Sequence, residues 1–187
     1  MKLVLASASP RRRALLAQAG IIPDVVKPAD IDETPLNQEL PRLYAQRMGI
    51  EKARAIHLPD QFTLAGDTVV ALGRRILPKA ETNSEVEDCL VKLSGRAHRV
   101  LTSLVVIAPD GRQAQHLNVS RVTLKRLTDK DIADYLDTGE GLGKAGGYAI
   151  QGKAGAFVKR LSGSYTGIMG LPLYETVNAL IGLGYRL

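Results

Sequence analysis

The sequence predicts an α/β fold, and three observations carry that prediction. An apolar run, Leu3-Val4-Leu5-Ala6, leads through a short polar turn into a helix start at Ser9-Pro10. Farther along, strand-like apolar runs alternate with helical stripes, the pattern of α/β chains. Two strand-like runs, residues 99–107 and 115–124, flank the turn Pro109-Asp110-Gly111. A length of 187 residues suits a single domain, residues 1–187.

Taken in order, residues 2–7 read as a buried strand. Ser9 caps a helix over residues 11–19, with Pro10 where its missing N–H is harmless and Gly20 as the stop. Residues 21–41 are irregular, with four prolines and the acidic group Asp30, Asp32 and Glu33. A helix is expected over 39–56, with Leu40, Leu43, Tyr44 and Met48 on one face. Residues 62–72 read as a strand pair or a bent strand around Gly66-Asp67. Ser84-x-x-Glu87 has the form of a capping box, ahead of the stripe Val86, Cys89, Leu90 and Leu93.

In the second long strand the apolar alternation changes phase between Val119 and Val122, which suggests a bulge. Thr128-x-x-Asp131 caps a short helix carrying Ile132, Tyr135 and Leu136, and a glycine-rich loop follows. Residues 148–150 and 156–161 read as strands. Pro172 opens a final helix with Leu173, Val177, Leu180 and Ile181 on its face.

Composition excludes several classes. A hydrophobic fraction of 45% and a charged fraction of 24% argue against disorder. No apolar run approaches the ~20 residues of a membrane span, and no signal-peptide h-region is seen. The lone Cys89 forms no internal disulfide, so a reducing, cytoplasmic setting is expected. Basic residues number 25 against 19 acidic ones, and the net charge of +6 suits a phosphate-bearing partner.

Several groups of residues can carry chemistry. Ser7, Ser9, Arg11, Arg12 and Arg13 cluster at a helix N-terminus, where N–H groups and arginine forks both suit phosphate oxygens. Alone, the group reads equally well as solvated arginines. Asp67 interrupts an apolar run, and a carboxylate there needs a partner, a metal or a proton to accept. Alone, it reads better as a turn aspartate. Lys52, Lys79 and Glu33 are informative only if the fold turns them to one pocket. Gln151, between Ile150 and Gly152, is an amide at the end of an apolar run. Neither the dinucleotide fingerprint nor the P-loop pattern is present. His57, His98 and His116 lack metal-ligand spacing.

In series these blocks resemble one family. They are Leu5-Ala6-Ser7-Ala8-Ser9-Pro10-Arg11-Arg12, Glu51-Lys52-Ala53, Asp67-Thr68, Lys79, Leu93-Ser94-Gly95 with His98 and Thr102, Lys144-Ala145-Gly146 with Ile150-Gln151-Gly152, and Gly170-Leu171-Pro172-Leu173. The chain resembles the Maf-type nucleoside triphosphate pyrophosphatases, the septum-formation-inhibitor family, over essentially its whole length. The resemblance implies a mixed, twisted sheet flanked by helices, with two lobes around a central cleft. It implies hydrolysis between the α and β phosphates with a divalent metal, Mg²⁺ or Mn²⁺. Asp67 is then the catalytic acidic residue, the proton acceptor for water, and a metal ligand. Ser7, Arg11, Arg12, Lys52 and Lys79 hold the triphosphate, Arg11, Thr68 and Gln151 set substrate preference, and Glu33 is the acidic residue of the early loop.

Two positions depart from the family pattern. Ala65-Gly66 inverts the usual Gly-Ala, and Lys79 is preceded by Pro78 rather than followed by proline. The Ile-Gln-Gly pattern resembles the branch associated with dTTP and UTP; a sister branch has Glu at that place. A glutamine amide matches the donor and acceptor of a uracil or thymine edge, whereas a carboxylate only accepts. Roles in removing non-standard nucleotides and in septum inhibition are further implications, and the strand edges of such folds allow a homodimer. The competing readings are a nucleic-acid-binding module and a regulatory protein with a vestigial cleft. At 4% aromatic residues and no Trp, stacking platforms for single strands are scarce.

Overall fold

The computed structural model describes residues 1–186. Strand β1 (Lys2–Leu5) leads to helix α1 (Pro10–Gln18) and the short β2 (Val25–Val26). Helix α2 (Pro41–Ile56) precedes the long β3 (Gln61–Leu72), the short β4 (Arg75–Leu77) and β5 (Lys79–Ala80). Helix α3 (Asn83–Leu93), strands β6 (Ala97–Ile107) and β7 (Gln113–Leu124) and helix α4 (Asp129–Leu136) follow. The chain continues with β8 (Lys144–Ala145), a 3₁₀ turn (Lys153–Phe157), β9 (Val158–Ser162), α5 (Tyr165–Met169) and α6 (Leu173–Gly182).

The main sheet runs β2-β1-β3-β6-β7-β9, with β4 paired to β3. Its β2, β1 and β3 are parallel, and the remaining pairings are antiparallel. The α/β fold read from the sequence is present, and the sheet is mixed, as the family resemblance implies. Among the described residues no helix is long and apolar enough to cross a membrane.

The period-2 geometry of β3 distributes the core. On one face Phe62 and Leu64 pack with Leu3, Leu104, Val106 and α6, while Val70 packs with α3, α4, Val100 and Val122. Gly66 and Thr68 lie on the same face between these two apolar bodies, and a cleft opens there. On the other face Ala65, Val69 and Ala71 lie under α2. β3 pairs with β1 as far as Leu64 and with β4 from Val70. Residues 65–69 therefore keep one strand edge free of a ladder, and Asp67 lies at its centre.

Several local expectations need correction. Residues 62–72 contain no turn at Gly66-Asp67; β3 runs through, paired with β6 from Thr63 to Ala71. The buried face of α2 is Tyr44, Ala45, Met48, Lys52, Ala53 and Ile56, while Leu40 and Leu43 are exposed. The capping box of α3 is Thr82 with Glu85, two residues earlier than expected, because Glu85 Oε2 accepts from the Thr82 N–H at 3.0 Å. The register of β7 against β6 is unbroken at Val119–Val122; the irregularity lies against β9 at Thr123/Leu124. Residues 148–150 are buried but not a strand, Tyr148 and Ala149 being irregular and Ile150 entering a turn, and β9 begins at Val158 after the 3₁₀ turn. Ile181 is exposed on α6. The capping box at Thr128 and Asp131 is present as expected.

Candidate active site

The free edge of β3, the loop before α1 and the β5–β8 ribbon enclose a cleft of about 360 Å³. Nine expected residues, Ser7, Arg11, Arg12, Glu33, Lys52, Asp67, Thr68, Lys79 and Gln151, all line it. Arg13 does not; it faces a separate surface groove with Ile22 and Asp24. Asp32 stays in its own loop, accepting from the Thr34 N–H at 2.8 Å.

Asp67 is buried, and Lys52 on α2 reaches it. Lys52 Nζ stands 2.7 Å from Asp67 Oδ1 and 2.9 Å from Glu33 Oε2. Helix α2 approaches the sheet closely because residue 49 is glycine: a Cβ there would meet Ser103 Oγ at 2.5 Å. That hydroxyl accepts from the Asp67 N–H at 3.1 Å. Gly66 is equally confined, since a Cβ would fall 2.7 Å from Ser103 O. The small residue before Asp67 is thus required by the neighbouring backbone.

Glu33 arrives on an irregular loop, which α2 holds in place. Tyr44 Oη donates to Glu33 O at 2.7 Å, and Arg47 donates to Thr34 O at 3.1 Å and to both oxygens of Glu39. Burial, together with Asp67 and Glu33, pushes the Tyr44 phenol up to about 12.

Arg12 is a brace. Its Nε donates to Gly170 O at 2.8 Å, Nη1 to Ser7 Oγ at 2.8 Å and Nη2 to Thr68 Oγ1 at 3.3 Å. One buried guanidinium thus ties the loop after β1, the end of α5 and the middle of β3 together. Burial lowers its pKa, with Asp67 acting in the opposite sense. Arg11, the next residue on the helix, is half-buried on the cleft wall, and desolvation lowers its pKa too. Ser9 holds the N-cap position of α1, but its side chain makes no capping bond. The first turn of the helix therefore keeps its anion-binding character toward the cleft.

The β5–β8 ribbon supplies the far wall. Lys79 pairs with Ala145, and Gly146 N–H donates to Pro78 O at 3.0 Å. Proline before Lys79, with its carbonyl used in this way, is compatible with a lysine facing the cleft. Lys144, on the partner strand, also lines the cleft. Its motif is visible in the sequence, but only the ribbon pairing, which sets Lys144 across from Ala80, brings it to the same cleft as Lys79. Gln151 is exposed at the cleft rim, beyond the buried Tyr148, Ala149 and Ile150. Cys89 is plain core on α3.

Among the described residues no group of three or more His, Cys, Asp or Glu side chains could hold a metal ion. Asp67 and Glu33 are the carboxylates beside the cationic wall. Two carboxylates without further protein ligands fit Mg²⁺ or a similar ion that takes its other ligands from phosphate and water.

The family model described as Maf-like protein matches residues 2–183. A protein of Caulobacter vibrioides named dTTP/UTP pyrophosphatase is 59% identical over 186 residues, 98% of this chain and 96% of that protein. A Rhodospirillum rubrum protein of the same name is 55% identical, covering 98% of this chain and 89% of its own length. The solved structure of a HAM1 protein from Coxiella burnetii covers 97% of this chain and 99% of its own at TM-score 0.53 and 15% identity, a similarity of fold.

Proposed function

The chain belongs to the Maf-like protein family, and on that premise we propose that it hydrolyses dTTP and UTP in the cleft beside β3. The products are the nucleoside monophosphate and pyrophosphate. The single observation that carries this reading is the arrangement around Asp67: Lys52 in contact, and Arg11, Lys79, Lys144 and the α1 N-terminus on the same cleft. A triphosphate is the ligand whose charge needs so many cations in so small a volume.

Each residue then has a task. Arg11, Lys79, Lys144 and the α1 N-terminus receive phosphate oxygens. Arg12 positions Ser7 and Thr68 rather than meeting substrate, because its nitrogens already bond within the protein. Lys52 bonds Asp67 Oδ1, and Oδ2 has no bond among the described residues. Asp67 accepts a proton from the attacking water as its oxygen bonds to the α phosphorus. The bond from that phosphorus to the bridging oxygen breaks, and pyrophosphate leaves with the electron pair. Asp67 and Glu33 would hold a divalent cation, Mg²⁺ or Mn²⁺, which when bound neutralises phosphate charge. Gln151 reads the pyrimidine edge, its amide accepting from N3–H and donating to a carbonyl. The chain works as one catalytic unit on a dissolved nucleotide pool, which we assign to the cytoplasm.

The basic residues favour this reading over a nucleic-acid surface, since Arg12 is 9% exposed and Lys52 8%. The test is a nucleotide panel with Mg²⁺ and with Mn²⁺ that separates pyrophosphate from orthophosphate. Pyrophosphate from dTTP and UTP, lost in Asp67→Asn, is the expected result. Gln151→Glu should weaken use of both. Orthophosphate, or no turnover, would overturn the reading.

A further inference from the structure

The wall that carries Gln151 lies outside any long ladder, so it is placed by the core packing of Tyr148 and Ile150 and by a few polar contacts. Gly146 and Gly147 both have positive φ, at 67° and 68°, and lie against Val70, Val86 and Cys89, where a Cβ would collide. The next residues are held by two phenols. The Ala149 N–H donates to Tyr135 Oη at 3.0 Å. Tyr148 Oη lies 2.7 Å from His98 Nε2 in the core, with the two rings nearly perpendicular at 86°.

His98 is a singular choice for its position. It sits on β6, is 2% exposed, and does not line the cleft. Its Nδ1 makes no hydrogen bond among the described residues. A buried polar group with half its capacity unused is destabilising compared with an aliphatic side chain of similar volume. What the imidazole supplies in return is the bond to Tyr148. That tyrosine is three residues before Gln151 and does line the cleft.

We propose that His98, acting through the Tyr148 hydroxyl, fixes the base-reading wall of the cleft and is a positioning residue for nucleobase discrimination. The inference rests on the pyrophosphatase reading and extends it to a residue that touches no substrate. A wall free to shift by a fraction of an ångström would still bind triphosphate through the cations opposite. It would lose the alignment of the Gln151 amide with the pyrimidine edge. The effect should therefore fall on KM and on the choice of base rather than on the chemical step.

The experiment compares wild type, His98→Leu, His98→Gln and Tyr148→Phe, with UTP and with GTP, after thermal melts establish that each is folded. His98→Leu and Tyr148→Phe should raise the KM for UTP about five- to tenfold, the range of one lost hydrogen bond. Their kcat should stay within about twofold, and kcat/KM for UTP relative to GTP should fall by a similar factor. His98→Gln, whose amide reaches toward the Tyr148 hydroxyl, should recover most of the discrimination. Unchanged KM and unchanged UTP-to-GTP preference in both folded variants would overturn the proposal. So would a loss of kcat equal for both nucleotides, the mark of a purely structural role. Wild type that turns over UTP isolates these outcomes from failure of the underlying reading; wild type that turns over no nucleotide overturns both.

Discussion

Lys52 Nζ lies 2.7 Å from Asp67 Oδ1, and the same ammonium lies 2.9 Å from Glu33 Oε2. One cation from α2 thus joins the acid at the open edge of β3 to the acid of a loop with no regular structure of its own. Removing it leaves two carboxylates facing each other without a counter-charge. Lys52→Met should lower kcat about 10²- to 10³-fold, the loss typical of a preorganised charge in an active site. It should also destabilise the fold by about 1–3 kcal/mol, less than for a fully buried pair because the cleft admits water. Steady-state kinetics and urea unfolding measure the two effects.

Asp67→Asn should separate binding from chemistry. The amide keeps the shape and the contact with Lys52 but accepts a proton poorly. Turnover should fall about 10²- to 10⁴-fold, while calorimetry with UTP should still detect nucleotide binding. Loss of binding together with turnover would show that Asp67 is needed to hold the nucleotide, through the cation or the fold, and not for proton transfer alone.

Arg12 and Arg11 should respond differently to lysine. Arg12 uses three nitrogens in three directions, on Ser7, Thr68 and Gly170. A lysine ammonium cannot reproduce that fork. Arg12→Lys should lower stability by about 2–4 kcal/mol and activity with it, since charge-assisted bonds are worth about 1.5–3 kcal/mol each and partial repair is expected. Arg11→Lys retains the charge that meets phosphate and should mainly raise KM. Thermal melts beside kinetics distinguish the two.

Gly49 is predicted to act on Asp67 through Ser103. A Cβ at 49 would meet Ser103 Oγ at 2.5 Å and Ser103 Cβ at 3.0 Å. The hydroxyl can rotate away only by giving up the Asp67 N–H. Gly49→Ala should destabilise by about 1–3 kcal/mol. In the double variant with Ser103→Ala part of the stability should return while activity stays low. Full recovery of both would show that the hydroxyl has no part in placing Asp67.

Acid stability should report on His98. Desolvation pushes its pKa down to about 4, against about 6.5 in an unfolded chain. Between those values the unfolded chain binds more protons than the native one. Stability from this residue is therefore complete above about pH 6.5 and is lost as pH falls toward 4. The full effect is on the order of 3 kcal/mol. Melting temperatures from pH 8 to pH 4 should fall less steeply in His98→Leu than in wild type.

The order of chemistry along the chain was legible without coordinates. Ser9-Pro10 marks a helix start because proline needs no donor there, and α1 does begin at Pro10. The stripe Val86, Cys89, Leu90 and Leu93 is buried as its spacing demands. The caps were less secure. Ser84 and Thr82 both offer hydroxyls with an acid three residues on, and which one caps depends on where the preceding β5 delivers the chain.

Sequence alone determined the residue types and hence the chemistry: a run of arginines at a helix start, an isolated aspartate, separated lysines and a glutamine. Local chemistry is carried by the side chain itself, so it survives without a fold. Tertiary structure decided which of them meet. The direction of Arg13 away from the cleft, of Glu33 but not Asp32 toward Lys52, and of Lys144 into the same cleft as Lys79 depends on strand pairing and helix packing between distant segments. Asp67 looked like a turn residue because an acid within an apolar run is hard to bury. It is a strand residue because Lys52, on a helix brought close by Gly49, supplies the charge that makes its burial tolerable.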